Sequence, residues 1–435
     1  MRALTIVALV SVGCSSNGLA RQVEPMAIRW QAPLEIAAGG GQKGEWQQNE
    51  SDFDYVDDPA VALDADGTAA VAWVDQALSD VLFQEYALDG KARLASPVNV
   101  SRSPRIFSWM PRVAIRGDDV YVLWQEIVSS GGSHGGETHF ARSRDRGKTF
   151  TPWINLSRSK NGDGKGQIND STWDNGSLDL ALARDGTLLA AWSEFDGPLW
   201  ISLSRDQGAT FSDPVLVANE PGKPARAPAL AFAPDGTAYL AWTVGKDEAA
   251  DIRLATMKPG ADKFGTPVIV RRTPHYSDAP KVAIDDRGTV HLAYAESDGG
   301  PFGRFHVTYA RSSDGGRTFD TSRELSRATG TESAAFPMLA LDRSAVVVSW
   351  EVYAKPGERP RGLAITYSLD GGATFAAPAP IEHSTDPAGG WNGSQQGKLM
   401  RKLVIRDGRI AVVNSALAPG KGSRVWLVRG ELATR

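Results

Sequence analysis

The chain of 435 residues has one cysteine, so no disulfide forms within it and its stability has to come from packing. Its six histidines are scattered without metal-ligand spacing, which gives a zinc centre no support; no metal and no cofactor are expected. A net charge of −4 provides no basic footprint for nucleic acid. Long apolar runs are also missing. The stretch Ala3 to Val10 is too short to span a bilayer, and behind Met1-Arg2 it reads as an export signal. The lone Cys14 closes the run Ser11-Val12-Gly13-Cys14, where acylation would anchor the chain to a membrane of the cell envelope. The alternative is secretion after cleavage near Ala20. Residues 1–20 are read as an export segment and 21–435 as one domain, expected to be a monomer.

What the chain does have is repetition. Ser-x-Asp-x-Gly-x-Thr-Phe occurs at Ser143 to Phe150, Ser204 to Phe211, Ser312 to Phe319 and Ser368 to Phe375. The starts lie 61, 108 and 56 residues apart, and the double gap holds a decayed copy at Thr256 to Phe264. A further degenerate copy surrounds Leu88-Asp89-Gly90. Self-similarity at this period marks a repeat fold.

A second motif alternates with the first: an apolar run, a tight turn, and another apolar run ending in an aromatic. Seven copies end at Trp73, Trp124, Trp192, Trp242, Tyr294, Trp350 and Asn414. Each reads as two strands, A and B, joined by a turn. A third strand, C, leads into each box, as at Arg304 to Ala310, and a fourth, D, leaves it, as at Thr374 to Ile381. Four antiparallel strands per repeat predict an all-β propeller of seven blades, with six as the alternative. The last copy has a strand C at Arg424 to Val428 but lacks a D. Trp30 to Ala37 resembles the D strands elsewhere, so the N-terminal segment is expected to close the ring. The boxes themselves are turn chemistry: the glycine takes positive φ and the Ser and Asp side chains bond nearby amides.

Boxes of this form on a propeller resemble the sialidase superfamily, and the resemblance covers nearly the whole chain. It implies three arginines for a substrate carboxylate, a Tyr paired with Glu as nucleophile, an Asp as acid/base, and an Arg-Ile-Pro motif at the head of a strand A. Here the first such position reads Asp57-Asp58-Pro59, and the nearest match is Arg226-Ala227-Pro228. Sialidases have six blades, against seven repeats in this chain.

Strand direction puts A-to-B and C-to-D turns on one face and all other loops on the opposite one. The longer loops, at 48–58, 127–139, 155–177, 271–279, 351–361 and 383–400, therefore crowd a top face suited to binding. Strand B repeatedly ends there in an acid, which offers Glu126, Glu194 and Glu296 as general acids or nucleophiles. The entrances to strand A add Tyr276 and Asp278 as catalytic candidates, and Arg112 and Arg226 as substrate-binding ones. The loop Ser159 to Asp170 places oxygen ligands around a glycine, loosely like a calcium loop.

Three functions follow as expectations. One is a glycoside hydrolase acting on external glycans. The alternative is a non-catalytic envelope propeller that binds a glycan or a protein. The third is a polysaccharide lyase, in which Tyr276 or His275 is the base and an arginine neutralises the uronate.

Overall fold

The computed structural model describes residues 28–433, apart from 46, 48, 104–105, 131–132, 159–167, 170–171, 174–176, 195–196, 246–249, 272–274, 327–332 and 392–399. Seven antiparallel sheets form seven blades. Their A strands are Val56–Leu63, Ser108–Arg116, Leu178–Leu182, Ala225–Phe232, Tyr276–Ile284, Ser333–Asp342 and Leu403–Arg406. These line a central channel of about 410 Å³, walled largely by aliphatic side chains such as Val61, Leu180 and Val282.

The N-terminal segment supplies the last strand of the seventh blade. Ile28–Trp30 and Leu34–Gly39 both pair with Gly422–Leu432. The edge that an open ring would expose is thereby occupied. One expected loop is largely strand: of 127–139, the described residues belong to Asp119–Ser130 and Ser133–Ser143, which pair with each other in the second blade.

The boxes show why their residues recur. In each one the serine hydroxyl donates to the aspartate and accepts from the glycine amide, while the aspartate accepts from the threonine amide and hydroxyl. For Ser204, Asp206, Gly208 and Thr210 these bonds measure 2.6–2.9 Å. The other three boxes repeat the pattern. Burial opposes ionisation, yet the bonds from Thr210 and Ser204 bring the Asp206 carboxyl down to about 2.

The boxes also join blades. Gly147, at φ 77°, leaves no room for a Cβ, which would stand 2.0 Å from the Phe83 ring of the preceding blade. Gly372 meets Tyr309 of its preceding blade in the same way, at 1.9 Å. The terminal phenylalanines complete the contact: Phe150 packs edge-on to Phe83 at 5.5 Å, Phe211 to Phe140 at 4.7 Å and Phe375 to Tyr309 at 4.8 Å. Such aromatic pairs contribute about 0.5–1.5 kcal/mol beyond the area they bury.

Two outcomes test this account. Gly117 has φ 59° and open space around it, so Gly117→Ala carries only the left-handed backbone cost of about 1–2 kcal/mol. Gly147→Ala adds the collision with Phe83 and is expected to lower the denaturant midpoint clearly further; equal losses would contradict the packing role. The depressed carboxyl of Asp206 stabilises the fold above the unfolded value of about 3.9 and loses that effect as pH falls through about 2. The stability gap between the parent chain and Asp206→Asn is therefore expected to close across that window.

Candidate functional site

Among the described residues, five of the seven A strands carry the same irregularity near the channel mouth. Asp58, Met110, Ala227, Ala279 and Phe336 have φ between 49° and 53°, and each precedes a proline. The pairing register slips at each of these points. A bulge of this kind re-aims the side chains beside it. The positions just before the bulge residues are Asp57, Trp109, Arg226, Asp278 and Ala335. Arg226 and Asp278 are thus equivalent residues of adjacent blades, brought to the same height at the boundary between them.

There they form a cluster with Tyr276. Arg226 Nη2 donates to the Tyr276 hydroxyl at 2.6 Å, and that hydroxyl donates to Asp278 Oδ2 at 3.0 Å. Arg226 Nη1 stands 3.5 Å from the same carboxylate oxygen, and the guanidinium lies over the phenol ring at 5.6 Å. Each group is fixed from behind. Arg226 Nε and Nη2 both donate to the Gly245 carbonyl. Asp278 Oδ1 accepts from the Thr243 hydroxyl at 2.9 Å and the Ala279 amide at 2.8 Å. Tyr276 is buried edge-on against Phe305, whereas Arg226 and Asp278 keep 18% and 17% of their side-chain surface open. Burial, followed by the charge of Asp278, pushes the phenol well above its usual range, and Arg226 works in the opposite direction.

A second Tyr-x-Asp-x-Pro run occurs at Tyr55-Val56-Asp57-Asp58-Pro59, matching Tyr276-Ser277-Asp278-Ala279-Pro280. The parallel extends to the surroundings. Ser415 donates to Asp57 as Thr243 donates to Asp278, each from the residue after the last motif position of the preceding strand B. Lys43 Nζ lies 5.5 Å over the Tyr55 ring as Arg226 lies over Tyr276. Tyr55, Asp57 and Asp58 are fully buried, and burial raises the Asp57 carboxyl against the Ser415 bond. This duplication is visible in the sequence once the prolines are aligned, but the repeat reading above did not use it.

The remaining candidates are dispersed. Glu126 accepts from Trp124 Nε1 at 2.9 Å and from Ser103, and it pairs with His139 at 3.2 Å. Glu194 accepts from Trp200 Nε1 at 2.6 Å. Glu296 accepts from Thr308 at 3.2 Å and stands 3.5 Å from His306. Arg112 is buried below the mouth, donating to the carbonyls of Met110 and Pro111 and standing 3.4 Å from Asp179. His275 pairs with Asp298 at 3.4 Å on the top face. Cys14 and most of the calcium-like loop lie outside the described residues. Among the described residues no group of three or more His, Cys, Asp or Glu is arranged to hold a metal ion.

No family model and no curated protein matches the chain. Solved structures share its fold. A protein of unknown function from Dyadobacter fermentans aligns over 94% of this chain and all of its own, at 15% identity and a TM-score of 0.52. The polysaccharide lyase Uly1 aligns over 93% and 99%, at 10% identity and 0.57. A PL25 ulvan lyase aligns over 92% and 96%, at 12% identity and 0.57, and it has also been solved bound to -[GlcA(1-4)Rha3S]-. At these identities the likeness is one of fold.

The charge order of the cluster can be read by titrating Tyr276, as the ultraviolet difference from Tyr276→Phe. Asp278→Asn removes a cause that raises the phenol, so ionisation is expected at lower pH than in the parent chain. Arg226→Gln removes a cause that lowers it, so ionisation is expected at higher pH. Identical curves would mean that the three groups do not interact.

Proposed function

We propose that this chain cleaves a glycosidic bond in an acidic glycan, with Tyr276 as the reacting side chain, Asp278 as the acceptor of its proton and Arg226 as the donor that stabilises its oxygen. The observation that carries this reading is the hydrogen-bond chain from Arg226 through the Tyr276 hydroxyl to Asp278. A phenol is neutral until it reacts, so it approaches an anionic sugar without the repulsion that a carboxylate nucleophile would meet. Attack of the phenolic oxygen on the anomeric carbon breaks the bond to the leaving oxygen, which takes up a proton from water. The phenol's own proton passes to Asp278, and water then releases the sugar from the tyrosine. The resemblance to sialidases supports the pairing of a tyrosine with an acid. Of the two Tyr-x-Asp motifs, this one has the partly open carboxylate and a guanidinium on the phenolic oxygen.

A second reading rests on the fold neighbours, two of which are polysaccharide lyases. In elimination the Tyr276 oxygen takes the proton next to a uronate carboxylate while its own proton moves to Asp278, and the glycosidic oxygen leaves from the adjacent carbon and takes up a proton from water. The same three residues serve both reactions, so the product separates them.

Phe302 supports a saccharide ligand for this face. It is 84% exposed, on the loop between strands B and C of the blade that carries Tyr276. The loop turns through the short helix Gly300–Phe302, closed by the Gly303 amide bond to the Gly300 carbonyl, and Gly299 and Gly303 lie so close that a Cβ at either would crowd the other. An aromatic face presented in this way is suited to stacking on a sugar ring.

Turnover should be assayed on a sialoside, a glucuronoside and a uronate-containing polysaccharide. Tyr276→Phe and Asp278→Asn are each expected to lower turnover by about 10²–10⁴-fold. A new reducing end without ultraviolet absorbance means hydrolysis, and an unsaturated uronate means elimination. Unchanged turnover in Tyr276→Phe would refute the assignment, and saccharide binding with no turnover would establish the non-catalytic alternative. Phe302→Ala is expected to raise KM by roughly 2–10-fold with kcat retained, in keeping with the energy of an aromatic contact.

A further inference from the structure

The fifth and sixth blades meet beside a buried histidine that the Tyr276 cluster does not use. His291 is fully buried on Val290–Ser297, strand B of the fifth blade. Its Nδ1 lies 2.7 Å from the Tyr309 hydroxyl, and its Nε2 lies 3.5 Å from Asp285 Oδ2 in the turn between strands A and B. Burial opposes ionisation of Asp285, yet bonds from the Thr289 and Arg287 amides hold its carboxyl below the usual range. An ionised carboxylate only accepts, and a neutral imidazole has one donor and one acceptor. Nε2 therefore carries the ring proton toward Asp285, and Nδ1 accepts from the phenol. That bond matters beyond its own blade, because Tyr309 is the ring on which the sixth-blade box closes: Gly372 packs against the phenolic oxygen, and Phe375 packs edge-on to the ring. In the first and second blades the rings in this place are Phe83 and Phe140, which have no hydroxyl to hold.

We propose that Asp285, His291 and Tyr309 form an acid-sensitive latch between the fifth and sixth blades. With the imidazole neutral, the phenol is held beneath the Gly372 turn. Once Nδ1 gains a proton, two donors face each other and the phenol is released. Burial disfavours the imidazolium, the Asp285 carboxylate opposes this and the Arg311 charge adds to it, and the balance keeps the ring below its ordinary value. The charged groups around the pair are Asp285 from the turn and Arg311 from strand C, with Arg323 and Asp320 acting on Tyr309 and Asp370 of the sixth-blade box acting on Arg311. Arg311 is itself committed, donating to Asp320 at 2.8 Å and, across the boundary, to the Gly371 carbonyl at 3.2 Å. In the opened boundary the imidazole titrates near its ordinary value of about 6.5, and in the closed one lower. Opening is therefore favoured as pH falls below about 6.5 and gains nothing more once the closed-state value is passed. Water has a route in, since Phe375 lines an open groove of about 400 Å³ beside the outer strand Arg323–Glu324. The latch stands whatever reaction Tyr276 serves.

Amide hydrogen exchange of the intact chain between about pH 8 and about pH 5, corrected for intrinsic rates, reads the latch. Amides of the sixth-blade box, such as Gly372 and Thr374, are expected to lose protection by up to about tenfold per pH unit below about 6.5. Gly208 and Thr210 of the third-blade box, which closes on Phe140, are expected to keep theirs. His291→Gln sets an amide acceptor near the phenol without a titrating ring, and it should abolish the difference between the two boxes. Parallel loss in both boxes, no loss in either, or an acid response in His291→Gln equal to that of the parent chain would each overturn the latch. Should His291→Gln not fold, heteronuclear NMR of the histidine ring nitrogens in the parent chain decides the matter, with His291 assigned as the ring whose signals move in Tyr309→Phe. A ring protonated at Nε2 alone near pH 8, gaining its second proton only below about 6.5, is the expected result. A ring protonated at Nδ1, or doubly protonated at neutral pH, would refute it.

Discussion

The contact between a box glycine and the ring of the preceding blade is the constraint from which the rest of the ring follows. Gly147 against Phe83 and Gly372 against Tyr309 both require a residue without a Cβ in a left-handed conformation. The Ser and Asp side chains hold the backbone in that conformation through bonds to the turn's own amides and hydroxyl. Arginines then span the same boundary, as Arg142 does by donating to the Asp206 and Gln207 carbonyls. Blade spacing is therefore set at the bottom face by local turn chemistry. With no disulfide available, closure depends on the N-terminal strands pairing with Gly422–Leu432 and on Arg429, whose guanidinium donates to the carbonyls of Gly67, Tyr86 and Ala87 in the first blade.

Because the bottom face fixes the ring, the top face can carry strain. The left-handed residues before Pro59, Pro111, Pro228, Pro280 and Pro337 each occupy a conformation that costs of order 1–3 kcal/mol and that the surrounding sheet has to impose. The return is geometric: the pairing register slips at each of these points, which re-aims the side chains beside it. Repetition then does the rest, since equivalent positions in adjacent blades meet at a boundary. Arg226 faces Asp278 for that reason, although they are 52 residues apart in the chain.

The repeat, the blade count and the ring closure were legible in the sequence because each rests on local chemistry: turn residues, alternating apolar runs, and a spare strand at one end matching a missing one at the other. Arg226, Tyr276 and Asp278 could be picked from their place at the entrances to strand A, but their hydrogen-bond chain could not. It depends on how far each blade is rotated against the next. The acids at the ends of strand B show the opposite limit. Glu126 and Glu194 accept from the indole N–H groups of Trp124 and Trp200, contacts that no spacing rule reveals. The strands Asp119–Ser130 and Ser133–Ser143 stand where a loop is expected at 127–139, because Ser129 to Gly136, rich in Ser and Gly, has loop composition.

The two Tyr-x-Asp motifs show that a motif and its environment contribute separately to chemistry. Both set a phenol two residues before a carboxylate, both draw a hydroxyl from the preceding blade, and both place a cation over the ring. In the first blade the carboxylate is fully buried, out of reach of a ligand, and burial raises it. In the fifth blade Arg226 contacts the phenolic oxygen itself and the carboxylate reaches the surface, so the phenol's proton has an acceptor and the resulting charge has a partner. Burial and the position of one cation, rather than the identity of the motif, therefore set the two copies apart under the proposed function. The same two variables govern the channel below, where Lys281 shares strand A with Asp278 and lies in the field of both Asp278 and Asp179.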